Sequence, residues 1–502
     1  MISKFNKYIH FFLIGFFIVI IFFIVLITEK KRQIFIDSIE ENTIVHGMSI
    51  EKFSADGKNQ TIQTTGAIFS INSEQGTISI KQRIGADRDV AVIDLPKELK
   101  KAKGPRKEGF DYYWDGTEES QMIISGDSVV RFKNIRNLQV SLKFTPEFKQ
   151  IDEEITKYKT GGLLALDGKG GIAIVPPSYA SNEKYSKKFE NNQWIFSGSD
   201  SMSLLFVGIL PPRYFDWEKS FINVVHYSSH VQRYPTDQEI AQYSKFAKIL
   251  ELHSWVWENR HVESKNEKGE QIPLWDDLSY EAQAGKWLPD NEEEFKRVIN
   301  TAHRYGMKVL PYVGTGSGEF TSETYERYLE EIKRIKVTYS IDGIYSDGLF
   351  YQHPEYGYFA ARELREIFGE DGWLTLHDTH DGGYWAPFIN TYMDSLITSE
   401  HNNFNQWTST SYNISNSIAM LWPEINLEER DGIGFLKKLV DDSIHYNNRI
   451  VFMCGLQGQW RFWRLYFTDK EMEFIKNYYF EKIDELRKKN LIIMKYKKTI
   501  KI

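Results

Sequence analysis

The chain has 502 residues, 41% of them hydrophobic, enough to bury a large core spread over more than one domain. Lys and Arg number 62 against 69 Asp and Glu, a formal net charge of -7, which leaves no polybasic surface of the kind that binds nucleic acid. The single cysteine, Cys454, excludes both an intrachain disulfide and a thiolate metal site, so the fold stands on packing.

Residues 8–28 read YIHFFLIGFFIVIIFFIVLIT without one formal charge. At about 1.5 Å rise per residue such a run crosses a hydrocarbon layer of about 30 Å, so a transmembrane helix is expected within an anchor of residues 1–33. A cleaved signal peptide would carry a shorter apolar region, about 7 to 15 residues, ending at a small-residue site that is absent here. Lys4 and Lys7 precede the run, while Lys30, Lys31 and Arg32 follow it. The expectation is a single-pass membrane protein with its short tail inside and its catalytic part extracytoplasmic.

Residues 34–214 are rich in short alternating or β-branched runs, among them GAIFSINSEQGTISIKQ, SVVRFKNIRNLQVSLKF and GGLLALDGKGGIAIVPP. Gly, Asn and Asp turns separate them, the pattern of an antiparallel β-sandwich. Pro211 and Pro212 close this region. Over residues 215–465 apolar runs alternate with helical stretches, as in parallel β/α units. Strands are expected at 221–225, 248–255, 308–313, 343–347, 374–377, 395–398, 418–421 and 450–454. Eight such repeats predict a (β/α)8 TIM barrel behind the sandwich, followed at 466–502 by a closing helix and a basic tail. That tail carries Lys495, Lys497, Lys498 and Lys501 and reads as solvated rather than lipid-bound.

In such a barrel, reactive groups stand at the C-terminal ends of strands. Period-two alternation puts Tyr345 and Asp347 on one face of the fourth strand, and Thr398 and Glu400 on one face at the end of the sixth. A lone carboxylate after a strand is ordinarily a loop or cap residue, but two across one mouth are the minimal apparatus for glycosidic cleavage. His253, Trp255 and Tyr312 follow or end the second and third strands, and Trp385, His401 and Trp460 fall in later loops. Together they would line a cleft for an oligosaccharide or glycoconjugate, since the 15% aromatic content supplies flat rings that stack on sugars as well as filling cores. The run His377-Asp378-Thr379-His380-Asp381 also suits a metal-dependent hydrolase. Against that, the first strand ends Val225-His226-Tyr227 and lacks an HxH pair, so His377, Asp378 and His380 are assigned to substrate hydroxyls, with no metal and no cofactor expected. A third possibility is a carbohydrate-binding surface protein without catalysis.

The phrases GGIAIVPP, GILPPR, DGIYSDG, LHDTHDGGYWAPFINTYMD and ITSEHNN, spread over residues 160–455, resemble glycoside-hydrolase-like barrels of bacteria and archaea. More distantly they resemble retaining α-glycosidases, including α-galactosidases and endo-α-N-acetylgalactosaminidases. The resemblance implies that Asp347 is the nucleophile and Glu400 the acid/base; Glu400 stands where α-galactosidases carry an aspartate. It therefore implies a glycoside hydrolase of the retaining kind.

Overall fold

The computed structural model describes residues 43–56, 58–136, 138–148, 150–152, 162–167, 169–176, 185–198, 204–214, 222, 224–227, 233–257, 286–315, 320–349, 352, 354–378, 388–389, 391–398, 451–454 and 460–462. The N-terminal part is all strand. It runs β1 (Ile50–Asp56), β2 (Asn59–Thr64), β3 (Ala67–Asn72), β4 (Thr77–Gln82), β5 (Arg88–Asp94), β6 (Lys103–Glu108), β7 (Asp111–Asp115) and β8 (Gln121–Ser125). It continues with β9 (Val129–Lys133), β10 (Gln139–Phe144), β11 (Gln150–Asp152), β12 (Leu163–Asp167), β13 (Gly170–Val175), β14 (Tyr185–Glu190), β15 (Gln193–Gly198) and β16 (Leu204–Leu210).

These strands make two eight-stranded sheets, ordered β1-β2-β3-β4-β5-β10-β15-β14 and β11-β12-β13-β16-β9-β8-β7-β6. Both are antiparallel throughout. Alternation explains the first sheet: β3 buries Ala67, Phe69 and Ile71 while Ser70 stays exposed, and β4 buries Ile78 and Ile80 around exposed Ser79. Those side chains meet Trp114, Met122, Ile124, Phe132, Ile172 and Val207 of the second sheet in one core. The second sheet is covered on its other side as well. Every residue of β13 is buried; Ile172 and Ile174 face the first sheet, whereas Ala173 and Val175 join a second core with Val225, Leu250, Phe388 and Tyr392. At Gly208 in β16 the approach is so close that a Cβ would lie 2.5 Å from the Phe388 ring, which would have to shift to admit it.

Chain order then changes to β17 (Val224–Tyr227), α1 (Asp237–Tyr243), β18 (Ile249–Leu252), α2 (Glu292–Arg304), β19 (Lys308–Gly314), α3 (Ser322–Tyr339) and β20 (Gly343–Asp347). It ends with α4 (Pro354–Phe368), β21 (Trp373–Asp378), β22 (Ser395–Thr398), β23 (Val451–Cys454) and β24 (Trp460–Phe462). Local signals start the helices. Thr236 and Glu239 form a reciprocal capping box on α1, and Asn291 Oδ1 accepts from Glu294 N–H at 3.1 Å ahead of α2, whose first turn carries three glutamates.

The third sheet has the order β22-β21-β20-β19-β18-β17-β24-β23, with β17 to β22 parallel and in chain order. This corrects the expected (β/α)8 TIM barrel. The described residues are mostly antiparallel sheet, with four α-helices, and among them the third sheet is an open run with β22 at one end and the antiparallel β23 at the other. The expected eighth stave, β23, pairs antiparallel with β24, and it is β24 that lies parallel to β17. Helix–strand alternation encodes each local crossover, but closing a cylinder requires a non-local pairing that no local pattern specifies. The expected strand at 418–421 and closing helix at 470–489 lie outside the described residues.

The membrane assignment is corrected as well. Among the described residues no helix is long and apolar enough to cross a membrane. The longest, α3, has 18 residues but reads SETYERYLEEIKRIKVTY, an amphipathic sequence whose charges could not enter hydrocarbon. The expected span at 8–28 lies outside the described residues, and the single-pass, extracytoplasmic placement is set aside.

Helix α4 is tied to the second sheet by buried charge. Asp111 lies between two guanidiniums, with Arg131 Nη2 at 3.1 Å and Arg362 Nη1 at 3.0 and 3.1 Å from its two oxygens. Nearby Asp127 accepts from the Tyr358 and Tyr392 hydroxyls at 2.7 and 2.6 Å. Burial raises the Asp127 pKa, and those two hydroxyls only partly oppose it. Burial also works against charge on Asp111, but there Arg131 and Arg362 outweigh it, so its pKa is lowered. A depressed carboxylate pKa contributes stability above the unfolded value, about 3.9, and that contribution is lost as pH falls through the folded value. Asp111→Asn is therefore expected to cost about 3–5 kcal/mol at neutral pH, with the gap to the parent protein narrowing below about pH 4. Urea unfolding across that range measures it; a gap that stays constant with pH would refute the charge-pair account.

Candidate active site

The two faces of the third sheet have different chemistry, and strand alternation assigns each side chain to one of them. Val225, Leu250, Val309, Val313, Ile344, Leu374 and Leu376 face the helices and pack with Ile240, Val298, Ile332 and Leu364. The opposite face begins with a small apolar layer of Val224, Ile249, Leu310 and Trp373. Toward the C-terminal strand ends that same face becomes polar and aromatic. His226 lies level with Glu251, Tyr312 with Tyr345, and Gly314 with Asp347.

Asp347 ends β20 and is half-buried. The Tyr312 hydroxyl donates to its Oδ2 at 3.0 Å. Its carbonyl oxygen accepts from Thr315 N–H at 2.9 Å, which fixes the strand end beside β19. Gly348 follows with φ +80°, the left-handed conformation that turns the chain directly after the carboxylate. Tyr312 is itself held from behind, since the indole N–H of fully buried Trp257 donates to the Tyr312 carbonyl at 2.6 Å.

A packed group of rings stands beneath Asp347. His253 and Tyr312 have centroids 4.9 Å apart, Tyr312 and Tyr345 meet edge to face at 5.4 Å, and His226 meets both Tyr345 and His253 edge-on at 5.2 and 5.3 Å. The Nδ1 of His253 lies 2.8 Å from Ser254 Oγ. At the deepest point His226 Nδ1 is 3.0 Å from Glu251 Oε2.

Of the residues singled out from the sequence, His253, Tyr312, Tyr345 and Asp347 come together here. Trp255 lies elsewhere, packed on Tyr227 and edge-on to Tyr234. Register puts His377 of β21 level with Asp347 and Asp378 level with Thr398, and Trp460 opens β24 opposite Cys454. His380, Trp385, Glu400 and His401 lie outside the described residues. Among the described residues no group of three or more His, Cys, Asp or Glu side chains is arranged to hold a metal ion.

Sequence reasoning passed over Glu251 and took His226 only as the missing half of an HxH pair. Their signal was present: Glu251 interrupts the apolar strand Ile249–Leu252, and an acid at the centre of a buried strand needs a partner.

No protein-family model matches the chain, and no curated protein matches it. It is similar to solved structures of glycoside hydrolases. One is the family 31 dextranase of Flavobacterium johnsoniae complexed with glucose, at 6% identity and TM-score 0.31 over 81% of this chain and 71% of that one. Another is an Anoxybacillus α-amylase, at 15% identity and TM-score 0.26 over 39% of this chain and 54% of that one. A third is the chitinase domain of a spore coat protein from Clostridium difficile, at 13% identity and TM-score 0.22 over 35% of this chain and 48% of that one. The chain spans 48%, 60% and 56% of the length of three chitinase structures that it matches. TM-scores below 0.5 support no functional transfer, so the site rests on its own chemistry.

The hold of Trp257 on Tyr312 is open to test. Trp257→Phe leaves a buried carbonyl without its donor and removes ring volume, so it is expected to destabilise by about 2–3 kcal/mol in urea unfolding. A loss under about 0.5 kcal/mol would mean that the bond does not anchor Tyr312.

Proposed function

We propose that this protein is a glycoside hydrolase of the retaining kind, acting on an oligosaccharide or glycoconjugate, with Asp347 as nucleophile and Glu400 as general acid/base. The observation that carries this reading is the position of Asp347: a half-buried carboxylate at the C-terminal end of a parallel strand, 3.0 Å from a tyrosine hydroxyl and above a floor of rings. The hydrogen bond from Tyr312 orients the Asp347 carboxylate, a group able to attack an anomeric carbon, and the aromatic floor suits the apolar face of a sugar.

In the first step Asp347 bonds to the anomeric carbon while the glycosidic C–O bond breaks and Glu400 protonates the leaving oxygen. In the second, Glu400 takes a proton from water, the water oxygen bonds to the anomeric carbon, and the bond to Asp347 breaks. His253, Tyr312, Tyr345, His377, Asp378, His380, Trp385, His401 and Trp460 are proposed to contact the sugar, whereas Trp255, packed on Tyr227 and Tyr234, is left out of that set. The proposal includes separate domains at 34–214 and 215–465.

Screening the full chain against aryl glycosides and oligosaccharides tests the reading. Asp347→Asn is expected to lower kcat at least about a thousandfold, roughly 4 kcal/mol of barrier, with thermal unfolding unchanged. Parent-like turnover in that variant would remove Asp347 from the mechanism. NMR of the first-formed sugar should show the starting anomeric configuration; an inverted product would replace the double displacement by direct attack of water.

A further inference from the structure

The buried pair His226 and Glu251 has no task in the reaction as written, yet it lies on the same sheet face as Asp347, beneath the rings that support it. Glu251 is wholly buried and His226 is 1% exposed, with 3.0 Å between Oε2 and Nδ1. Placing an acid and an imidazole at that depth is costly, and a hydrophobic pair of similar volume would ordinarily be as stable or more so. Their presence among Val224, Ile249 and Leu310 therefore points to something the site needs from them.

As a carboxylate, Glu251 would accept from Nδ1, holding the His226 proton there and with it the plane of the ring. That plane meets Tyr345 at 85° and His253 at 75°. Both of those rings pack against Tyr312, at 5.4 and 4.9 Å, and Tyr312 is the donor to Asp347 Oδ2. His226 thus acts as a wedge under two of the three rings. Rotating it by a rotamer or exchanging its tautomer would loosen both supports of the Tyr312 hydroxyl at once.

We propose that Glu251 is a positioning residue: through a tautomer-locked His226 it holds the His253–Tyr345–Tyr312 ring group so that the Tyr312 hydroxyl stays on Asp347. The link to catalysis rests on the glycosidase reading above, whereas the lock itself does not. Because the ring faces stay against the sugar while the Tyr312 hydroxyl loses its aim at Asp347, loosening the group lowers kcat far more than it raises KM.

Two sets of measurements separate the lock from the reaction. In the first, the protein is labelled with 15N-histidine and needs no substrate. His226 is expected to be protonated at Nδ1 in the parent protein, and Glu251→Gln, whose amide can accept or donate, is expected to mix its tautomers and shift the His253 signals. His226 protonated at Nε2 alone, or His253 signals identical in the two proteins, would overturn the proposal. In the second, Glu251→Gln and Tyr312→Phe are each expected to lower kcat about tenfold with KM within about twofold, and the double variant to be no slower than the slower single one. Additive losses, or parent-like kcat in Glu251→Gln, would refute positioning through Tyr312. Should Glu251→Gln fail to fold, His226→Gln keeps a bond to Glu251 without a ring edge, and its His253 signals and kcat are expected to change in the same way. A parent protein that cleaves no glycoside would remove the glycosidase reading, and the histidine spectra would still decide the lock.

Discussion

The fold turns on a carboxylate held between two guanidiniums where the antiparallel part meets the helices. Asp111 on β7 draws Arg131 from β9 and Arg362 from α4 to a single point, and Asp127 takes the hydroxyls of Tyr358 on α4 and Tyr392 just before β22. Removing any one of these partners would leave a charge or a donor buried without its counterpart, which costs more than the net gain of the pair. The orientation of α4 on the second sheet follows from this, and α4 is the helix that connects β20 to β21. The strand that ends in Asp347 is thereby referred back to residues more than two hundred positions earlier in the chain.

Above that foundation, the candidate site is a matter of layering. One face of the third sheet passes from apolar residues to a buried His–Glu pair, then to rings, and last to a half-buried carboxylate. Each step toward the strand ends trades packing for polarity. The polar groups are kept in place by partners behind them, Trp257 behind Tyr312 and Glu251 behind His226.

Much of this is legible in the sequence where local pattern carries the information. GIYSD at 343–347 and SLIT at 395–398 are strands with the bounds read from apolar runs and turns, and alternation alone sets Tyr345 and Asp347 on one face. Thr236 likewise announces the start of a helix. Sheet closure is not legible. FINVV was expected to open the parallel series at 221–225, but the strand runs 224–227, and its neighbour β24 comes from WRF, a segment that reads as loop. Glu251 is half legible: its place inside an apolar strand marks an acid that needs a partner, but that the partner is His226 on the adjacent strand follows only from the sheet register.

The double lining of β13 has a consequence for the way the molecule comes apart. Its even-numbered isoleucines belong to one interior and its odd-numbered alanine and valine to the other, so neither interior can be wetted without stripping the shared wall from its neighbour. Loss of order on one side of β13 therefore exposes apolar surface on which the other side also packs.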